Sequence, residues 1–450
     1  MLQAFLEIGP DRSPLFADLA VWQDPLSRQH FQKHAVIFFS FRSVKPERWE
    51  EARRLLEEVV REELRRHLPG LRRSGIPPEL LEPLEEVDRG HFSLRVLWSL
   101  CRALHAATGQ RVVILIDEYD GPILHAWTAG YFDEVTSWFR TLLTEGLKDN
   151  PHLYRGVLTG VLRVAKESMF SGLNNVQVYS LLDRKPELFG FTEAEVDSLL
   201  KQYGREPEAE EIRRWYNGYR FGDTTVYNPW SILHVLADPA APLKPYWLST
   251  AGRNDLVREL LLKSADQHLP IATLLQGGTI ERPVEEDVAL RDLQGDNVWS
   301  LLLFSGYLKA VAVRDDGDQT LATLAIPNQE VRRIWRSTFS ERLRSGEGSL
   351  EPLHQALLTG NAEKVQDVLQ KLLLRHVSFH DVAETQAEAF YHAFVLGLLV
   401  TLEKTHAVCS NREVGQGRAD VLLIPKSPGQ PGVVLEFKAQ TGKGSLAAHA

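Results

Sequence analysis

Two groups of residues in this 450-residue chain have the types and spacing to do chemistry. The first is Asp117-Glu118, which ends the apolar run Val112-Val113-Ile114-Leu115-Ile116. A buried strand that ends in two adjacent carboxylates delivers them to the carboxyl edge of a parallel sheet, where ligands sit. There Asp117 would hold Mg2+ through water, and Glu118 would orient or deprotonate an attacking water. The second group is Asp420, Glu436 and Lys438. Asp420 opens one predicted strand (420–424), and Glu436 and Lys438 lie in the next, predicted over 432–437. Strand side chains alternate, so Glu436 and Lys438 share one face while Leu435 and Phe437 take the other. A hairpin that brings Asp420 to Glu436 gives Mg2+ two hard oxygen ligands. A cation there polarises a phosphodiester and activates water, with Lys438 positioning that water or stabilising the developing charge. Each group also has a plainer reading. An apolar strand can end in a solvated acidic turn, and a Glu and a Lys two apart are common on an exposed edge strand.

The elements that must position these groups follow from periodicity. Residues 35–41 (AVIFFSF) form a short apolar run and read as a buried strand. From Pro46 to His67 apolar residues recur at steps of three and four, which predicts an amphipathic surface helix. Residues 69–90 read as a Pro/Gly-containing connection, and a second helix is predicted from about Phe92 to Ala107, stopped by Gly109. Strand runs at 111–116 and 153–158 flank a helical stretch around 131–148. Strands alternating with helices imply parallel pairing, because parallel neighbours need a crossover. Residues 190–345 read as mostly helical with turn signals at Tyr216-Asn217-Gly218, Asn228-Pro229 and Arg314-Asp315-Asp316-Gly317. Residues 350–408 read as helical again, before the two final strands.

Composition narrows the function classes. At 44% hydrophobic and 25% charged residues the chain is an ordinary globular one, long enough for roughly two to four domains. The net charge of −9 supplies no global basic field, so a polyanion would have to be met by a local patch. The two cysteines, Cys101 and Cys409, exclude a disulfide scaffold and a cysteine-rich zinc site and fit a reducing compartment. No apolar run of about 18 residues is present, and Met1–Glu7 lacks the basic and small-residue features of a signal peptide; a cytoplasmic protein without a membrane partner is expected. His380, His392 and His406 lack ligand spacing and read as solvated or core-edge residues. Arg332-Arg333-Ile334-Trp335-Arg336 could touch phosphates but, intercalated with Glu at helical spacing, is expected to be a solvated helix face, and the Trp and Tyr residues around 215–219 are expected to pack a core and not to stack on bases.

The strand ending in Asp117-Glu118 has the form of a Walker B motif, and Leu158-Thr159-Gly160 places a hydroxyl at the end of the next parallel strand. Many ATPases keep a γ-phosphate sensor there, and Arg163 could reach the same phosphate; a turn-capping role for Thr159 is an equal alternative. The segments LIDEYDGPIL, LTGVLRVAKESMFSGLNN, FGFTEAEV and WYNGYRFGDTTVYNPWSIL resemble prokaryotic AAA-ATPase-like proteins that carry a C-terminal nuclease domain of the PD-(D/E)XK superfamily. The likeness continues through LLFSGYL and IPNQEVRRIW to Arg418-Ala419-Asp420 and Glu436-Phe437-Lys438, which match the D…ExK pattern. It implies an α/β fold in three parts. They are an incomplete P-loop-type ATPase-like parallel sheet (1–185), a helical and winged-helix-like middle (186–345), and a restriction-endonuclease-like α/β domain (350–450). It also implies that Glu388 supplies a further acid to the metal, that Mg2+ is the cofactor, and that nucleic acid, expected to be DNA, is the partner.

The 450 residues contain no GxxxxGKS or GxxxxGKT loop to cradle phosphates, and Gly442-Lys443-Gly444-Ser445 lacks the strand–helix context such a loop needs. By the resemblance, Met1–Glu7 corresponds to the helix that follows that loop, so the chain reads as truncated at its start and cut short after Lys438. ATP belongs to intact family members, and no ATP hydrolysis is expected from these residues alone. The implied function is a nucleotide-regulated, Mg2+-dependent enzyme cleaving nucleic acid. A catalytically inert interaction scaffold and a DNA-binding, ATPase-derived switch remain alternatives.

Overall fold

A computed structural model describes residues 1–160, 173, 175–177, 179, 189–222, 224–238, 240, 242–247, 268–275, 277–285, 297–317, 319–345, 351–376, 395, 399, 402, 405–414 and 417–436. The fold is mixed α/β and divides into two compact units, Met1–Tyr179 with 286–293, and Ser180–Glu285 with Gln294–Ala450. Among the described residues no helix is long and apolar enough to cross a membrane. Neither cysteine forms a disulfide, and burial pushes the Cys101 thiol up to about 12.

The first unit is built on three parallel strands in the order β1 (Val36–Ser40), β2 (Val112–Asp117), β3 (Leu153–Thr159). Five consecutive apolar residues of β2 are buried because both faces of the central strand are covered, the expected pattern for a parallel sheet. On one face Val36, Val113 and Leu115 pack with Leu6, Phe38 and Val157. On the other, Ile37, Phe39, Ile114 and Ile116 are buried, and Phe39 stacks on Phe41, which meets Phe139 edge-on at 5.0 Å. Helix α1 (Trp49–Arg73) covers the sheet through Leu56, Val60, Leu64, Leu68 and Leu71. Helices α2 (Pro78–Asp88), α3 (Val96–Thr108), α4 (Gly121–Ala129) and α5 (Phe132–Leu147) complete the layers. Gly109 ends α3 in the left-handed region at φ 69°, as its placement predicts.

The connection expected over 69–90 is instead the end of α1 and all of α2. Pro69 lies inside α1, yet Leu68 and Leu71 on either side are each only 2% exposed. Burial of that apolar stripe outweighs the lost backbone hydrogen bond, which is the usual way tertiary packing overrides propensity.

In the second unit, helix α6 (Glu193–Gln202) starts with a reciprocal cap between Thr192 and Glu195, as the FTEAEV segment allows. Helix α7 (Ala209–Tyr216) leads into the hairpin β4 (Tyr219–Phe221) and β5 (Thr224–Val226), then α8 (Pro229–Ala237), capped by Asn228. Trp215 and Tyr216 are buried, as expected of core residues. Helix α9 (His268–Leu275) precedes β6 (Ile280–Pro283), which joins β7 (Lys309–Asp315) and β8 (Thr320–Ala325) in an antiparallel sheet of order β6-β8-β7. The mostly helical reading of 190–345 is therefore corrected by five strands. Asp315-Asp316-Gly317 is a hairpin turn between β7 and β8, with Gly317 at φ 93°. Short, half-buried strands rich in Ala and Thr carry too little apolar alternation to stand out in the sequence.

Helices α10 (Asn297–Phe304) and α11 (Gln329–Ser345) pack Trp299, Leu302, Ile334 and Trp335 against that sheet. Glu330 in α11 is fully buried and accepts from Trp247 N at 2.8 Å and Ser231 Oγ at 2.9 Å. Burial raises its pKa above the ordinary 4.5 despite these bonds. The folded state thus holds this proton to higher pH than the unfolded chain does. The stabilisation is complete below about pH 4.5 and is lost as pH rises through the folded value. A Glu330→Gln variant, which can still accept from Trp247 and donate to Ser231, is expected to flatten this slope. Denaturation midpoints measured from pH 4 to 8 should converge at the acid end and favour the variant at neutral pH, and parallel profiles would refute the assignment.

The C-terminal part comprises α12 (Glu351–Leu358), α13 (Ala362–His376) and the antiparallel strands β9 (His406–Val414), β10 (Gly417–Pro425) and β11 (Val433–Leu435), in the order β11-β10-β9. The helical reading of 350–408 fails at its end, where β9 begins. His406 is fully buried, with Nε2 3.0 Å from the Pro431 carbonyl oxygen, so its role is to tie β9 to the turn before β11. His380 and His392 lie outside the described residues.

Candidate active-site carboxylates

In the first unit the parallel register aligns Ser40, Asp117 and Thr159 in one row at the carboxyl end of the sheet. Thr159 Oγ1 donates to Asp117 Oδ1 at 2.7 Å, so two residues 42 positions apart in sequence are joined. The chain then turns sharply. Glu118 takes φ 55°, a left-handed conformation uncommon for a residue with a side chain. This turn buries Tyr119 and Asp120, leaving Asp117 and Glu118 half-buried at the sheet's edge.

Asp120 is a neighbour that sequence reading missed, although it stands only three residues beyond Asp117. It is 2% exposed and packs against Gly160 so closely that a Cβ there would lie 2.6 Å from its Oδ1 and 3.0 Å from Tyr119 Cε1. A Gly160→Ala variant is therefore expected to lose about 1–3 kcal/mol through overpacking, seen as a lower thermal midpoint. An unchanged midpoint would mean that the Asp120 carboxylate is free to move aside. Arg163 lies outside the described residues.

In the second unit the β10–β11 pairing is Val421 with Leu435, Leu422 with Val434 and Leu423 with Val433. Asp420 and Glu436 are the residues next to the last of these pairs, Val421 with Leu435, on the two chain segments. Directly opposed residues of an antiparallel pair point to the same face, with Cβ atoms about 4.5–5.5 Å apart. Val421 and Leu423 are fully buried against Leu353, Leu357 and Leu399, whereas Val434 is 57% exposed. Asp420 and Glu436 therefore belong to the face turned away from the apolar core; Asp420 is half-buried and Glu436 exposed. Two carboxylates at one point of a solvent-accessible face suit Mg2+, which takes oxygen ligands and keeps several waters. Glu388 and Lys438 lie outside the described residues. Among the described residues no group of three or more His, Cys, Asp or Glu side chains could hold a metal ion.

ATP fits the first unit less well than Mg2+ fits the second. Asp117 and Thr159 are hydrogen-bonded at the carboxyl end of the sheet, but the 450 residues include no glycine-rich loop with Lys and Ser or Thr to cradle the phosphates.

Comparison with known proteins agrees with this division. Residues 1–170 match the family model described as "Predicted AAA-ATPase", and residues 386–450 match that of the PD-(D/E)XK nuclease superfamily. A protein from Azotobacter chroococcum mcd 1, titled "Uncharacterized protein in vnfD 5'region", is 35% identical over 236 residues, which cover 52% of this chain and 43% of that relative. The chain thus spans less than half the length of the curated relative it matches. No solved structure matches. The acidic strand end lies in the first match and Asp420 and Glu436 in the second; by these matches the chain carries an AAA-ATPase-like segment at residues 1–170 and a segment of the PD-(D/E)XK nuclease superfamily at residues 386–450.

Proposed function

We propose that the protein is a nucleotide-regulated, Mg2+-dependent phosphodiester hydrolase acting on nucleic acid, with DNA the expected substrate. The observation that supports this reading is the β10–β11 pairing, which ends at Val421 with Leu435, beside Asp420 and Glu436, within the segment matched to a nuclease superfamily. Asp420 and Glu436 would hold the cation, Glu388 would add a third carboxylate, and Lys438 would hold the attacking water or the developing negative charge. The bound cation supplies Lewis acidity to the scissile phosphate and lowers the pKa of water. The three-part organisation of ATPase-like, winged-helix-like and nuclease-like regions belongs to this reading.

The nucleotide part rests on the Asp117–Thr159 bond, which couples two strand ends at the place where a γ-phosphate is read in ATPases of this form. In the absence of a phosphate-cradling loop within these residues, no ATP turnover is expected of them alone. Mg-ATP hydrolysis by the purified chain, abolished in Asp117→Ala, would overturn that. The hydrolase reading is tested by incubating supercoiled plasmid with the chain and Mg2+ or Mn2+. Nicked or linear product is expected with either cation and none in EDTA. Cleavage that survives EDTA would remove the metal from the mechanism.

A further inference from the structure

The run Arg332–Arg336, expected to be a solvated face relieved by interleaved Glu, has a different environment. Glu330 is spent in the core on Ser231 and Trp247, as described above. Arg332, in the first turns of α11, is half-buried; its Nε is buried without an acceptor, and no carboxylate pairs with its guanidinium among the described residues. Lys309, the first residue of β7, is also half-buried, and among the described residues its ammonium donates only to the Pro327 carbonyl at 3.4 Å. Arg220 in β4 stands beside Lys309, anchored to the carbonyls of Gly222 and Val311.

Two glycines shape the cluster. At Gly218, of the Tyr216-Asn217-Gly218-Tyr219 run, φ is 115°; a Cβ there would collide with the Pro327 carbonyl oxygen and lie 3.4 Å from Lys309 Nζ. At Gly277, φ is 90°, and a Cβ would lie 3.4 Å from Arg332 Nη2.

Two other cations withdrawn from water, Arg61 and Arg205, are paired with carboxylates. Arg61 meets Glu57 at 3.1 Å, and Arg205, 4% exposed, meets Glu208 at 2.5 Å. Taking a cation partly out of water without a counter-charge is unfavourable, and here the cations also repel one another. Lys309 accordingly has a lowered pKa through burial and then the nearby Arg220 and Arg332, and Arg332 is lowered by burial and Arg336. A bound anion would offset these charges. Arg336 follows Arg332 by one helical turn, about 6 Å along the axis, and has an interaction of its own.

We propose that Lys309 and Arg332, flanked by Gly218 and Gly277, form a contact site for successive phosphates of a nucleic-acid strand. This rests on the nucleic-acid reading above but uses none of the carboxylates assigned to cleavage. Contacts of this kind fix position without reading sequence, and each adds nearly one unit to the dependence of affinity on salt.

The test uses the full chain with fluorescein-labelled duplex and single-stranded DNA in Ca2+ or EDTA, read by anisotropy between 50 and 200 mM salt. Lys309→Gln and Arg332→Gln are each expected to weaken binding several-fold and to reduce the slope of log affinity against log salt by about one, alike on unrelated sequences. Their thermal midpoints are expected to stay equal to the parent's or to rise, because a like-charge contact is relieved. A double variant that binds with unchanged affinity and slope overturns the proposal, as does a parent chain that binds no DNA. Competition by ATP or inorganic phosphate with no change in the DNA slope would likewise overturn it, assigning the site to a small anion. Glu436→Ala separates the two readings: normal cutting by that variant removes the carboxylate assignment and leaves this site standing.

Discussion

Replacing Glu436 with alanine is expected to lower divalent-dependent plasmid cleavage by about a thousandfold while leaving the thermal midpoint within a degree or two. The residue is exposed at the end of β11 and contributes little packing, so its loss should not disturb the sheet. What it removes is one of two carboxylates that the β10–β11 register places on the same face. Metal catalysis contributes several kcal/mol of transition-state stabilisation, and each 1.4 kcal/mol is about tenfold in rate, which gives the expected loss. Asp420→Asn keeps the size of the side chain but weakens its hold on a cation, and should fall by a similar factor. Raising Mg2+ or Mn2+ should recover part of the Asn variant's activity and little of the alanine variant's. Cutting by Glu436→Ala at the parental rate would end the assignment of Glu436 to cleavage, whereas a parent chain that cuts with neither cation would end the hydrolase reading and leave a scaffold or a DNA-binding switch.

The largest expected effect on stability is at Trp335. It is fully buried in the core that joins α11 to β6, β7 and β8, and its Nε1 donates to the Tyr307 carbonyl at 3.2 Å. Truncating a buried tryptophan to alanine costs about 3–5 kcal/mol, from lost transfer energy together with the cavity left behind. Trp335→Ala should therefore sharply lower the denaturant midpoint of the second unit. Trp335→Phe keeps most of the apolar volume and loses the indole N–H, so about 1–2 kcal/mol is expected. Because α11 carries Arg332 one turn earlier, the alanine variant should also weaken DNA binding, whereas the phenylalanine variant should not. A change below about 1 kcal/mol in Trp335→Ala would mean that the core collapses around the gap.

Local pattern was enough to read the strand ending at Asp117 and the helix stop at Gly109, because each depends on residues within a few positions of one another. Strong apolar runs and capping residues act locally, so the sequence displays them directly. The same holds for the types of the candidate residues: Asp420, Glu436 and Asp117 could be picked out as carboxylates at strand ends. What the chain alone does not display is partnership across distance. The Thr159–Asp117 bond, the burial of Asp120 beneath Gly160 and the pairing of Val421 with Leu435 beside Asp420 and Glu436 each join separate elements. The strands β4 to β8 were hidden because their stability comes from pairing and from the cover of α10 and α11, not from their own composition. Charge shows the contrast most clearly. Arg332 and Glu330 stand two residues apart in sequence, yet folding turns the carboxylate into the core and leaves the guanidinium among other cations, since residues two apart on a helix do not face each other.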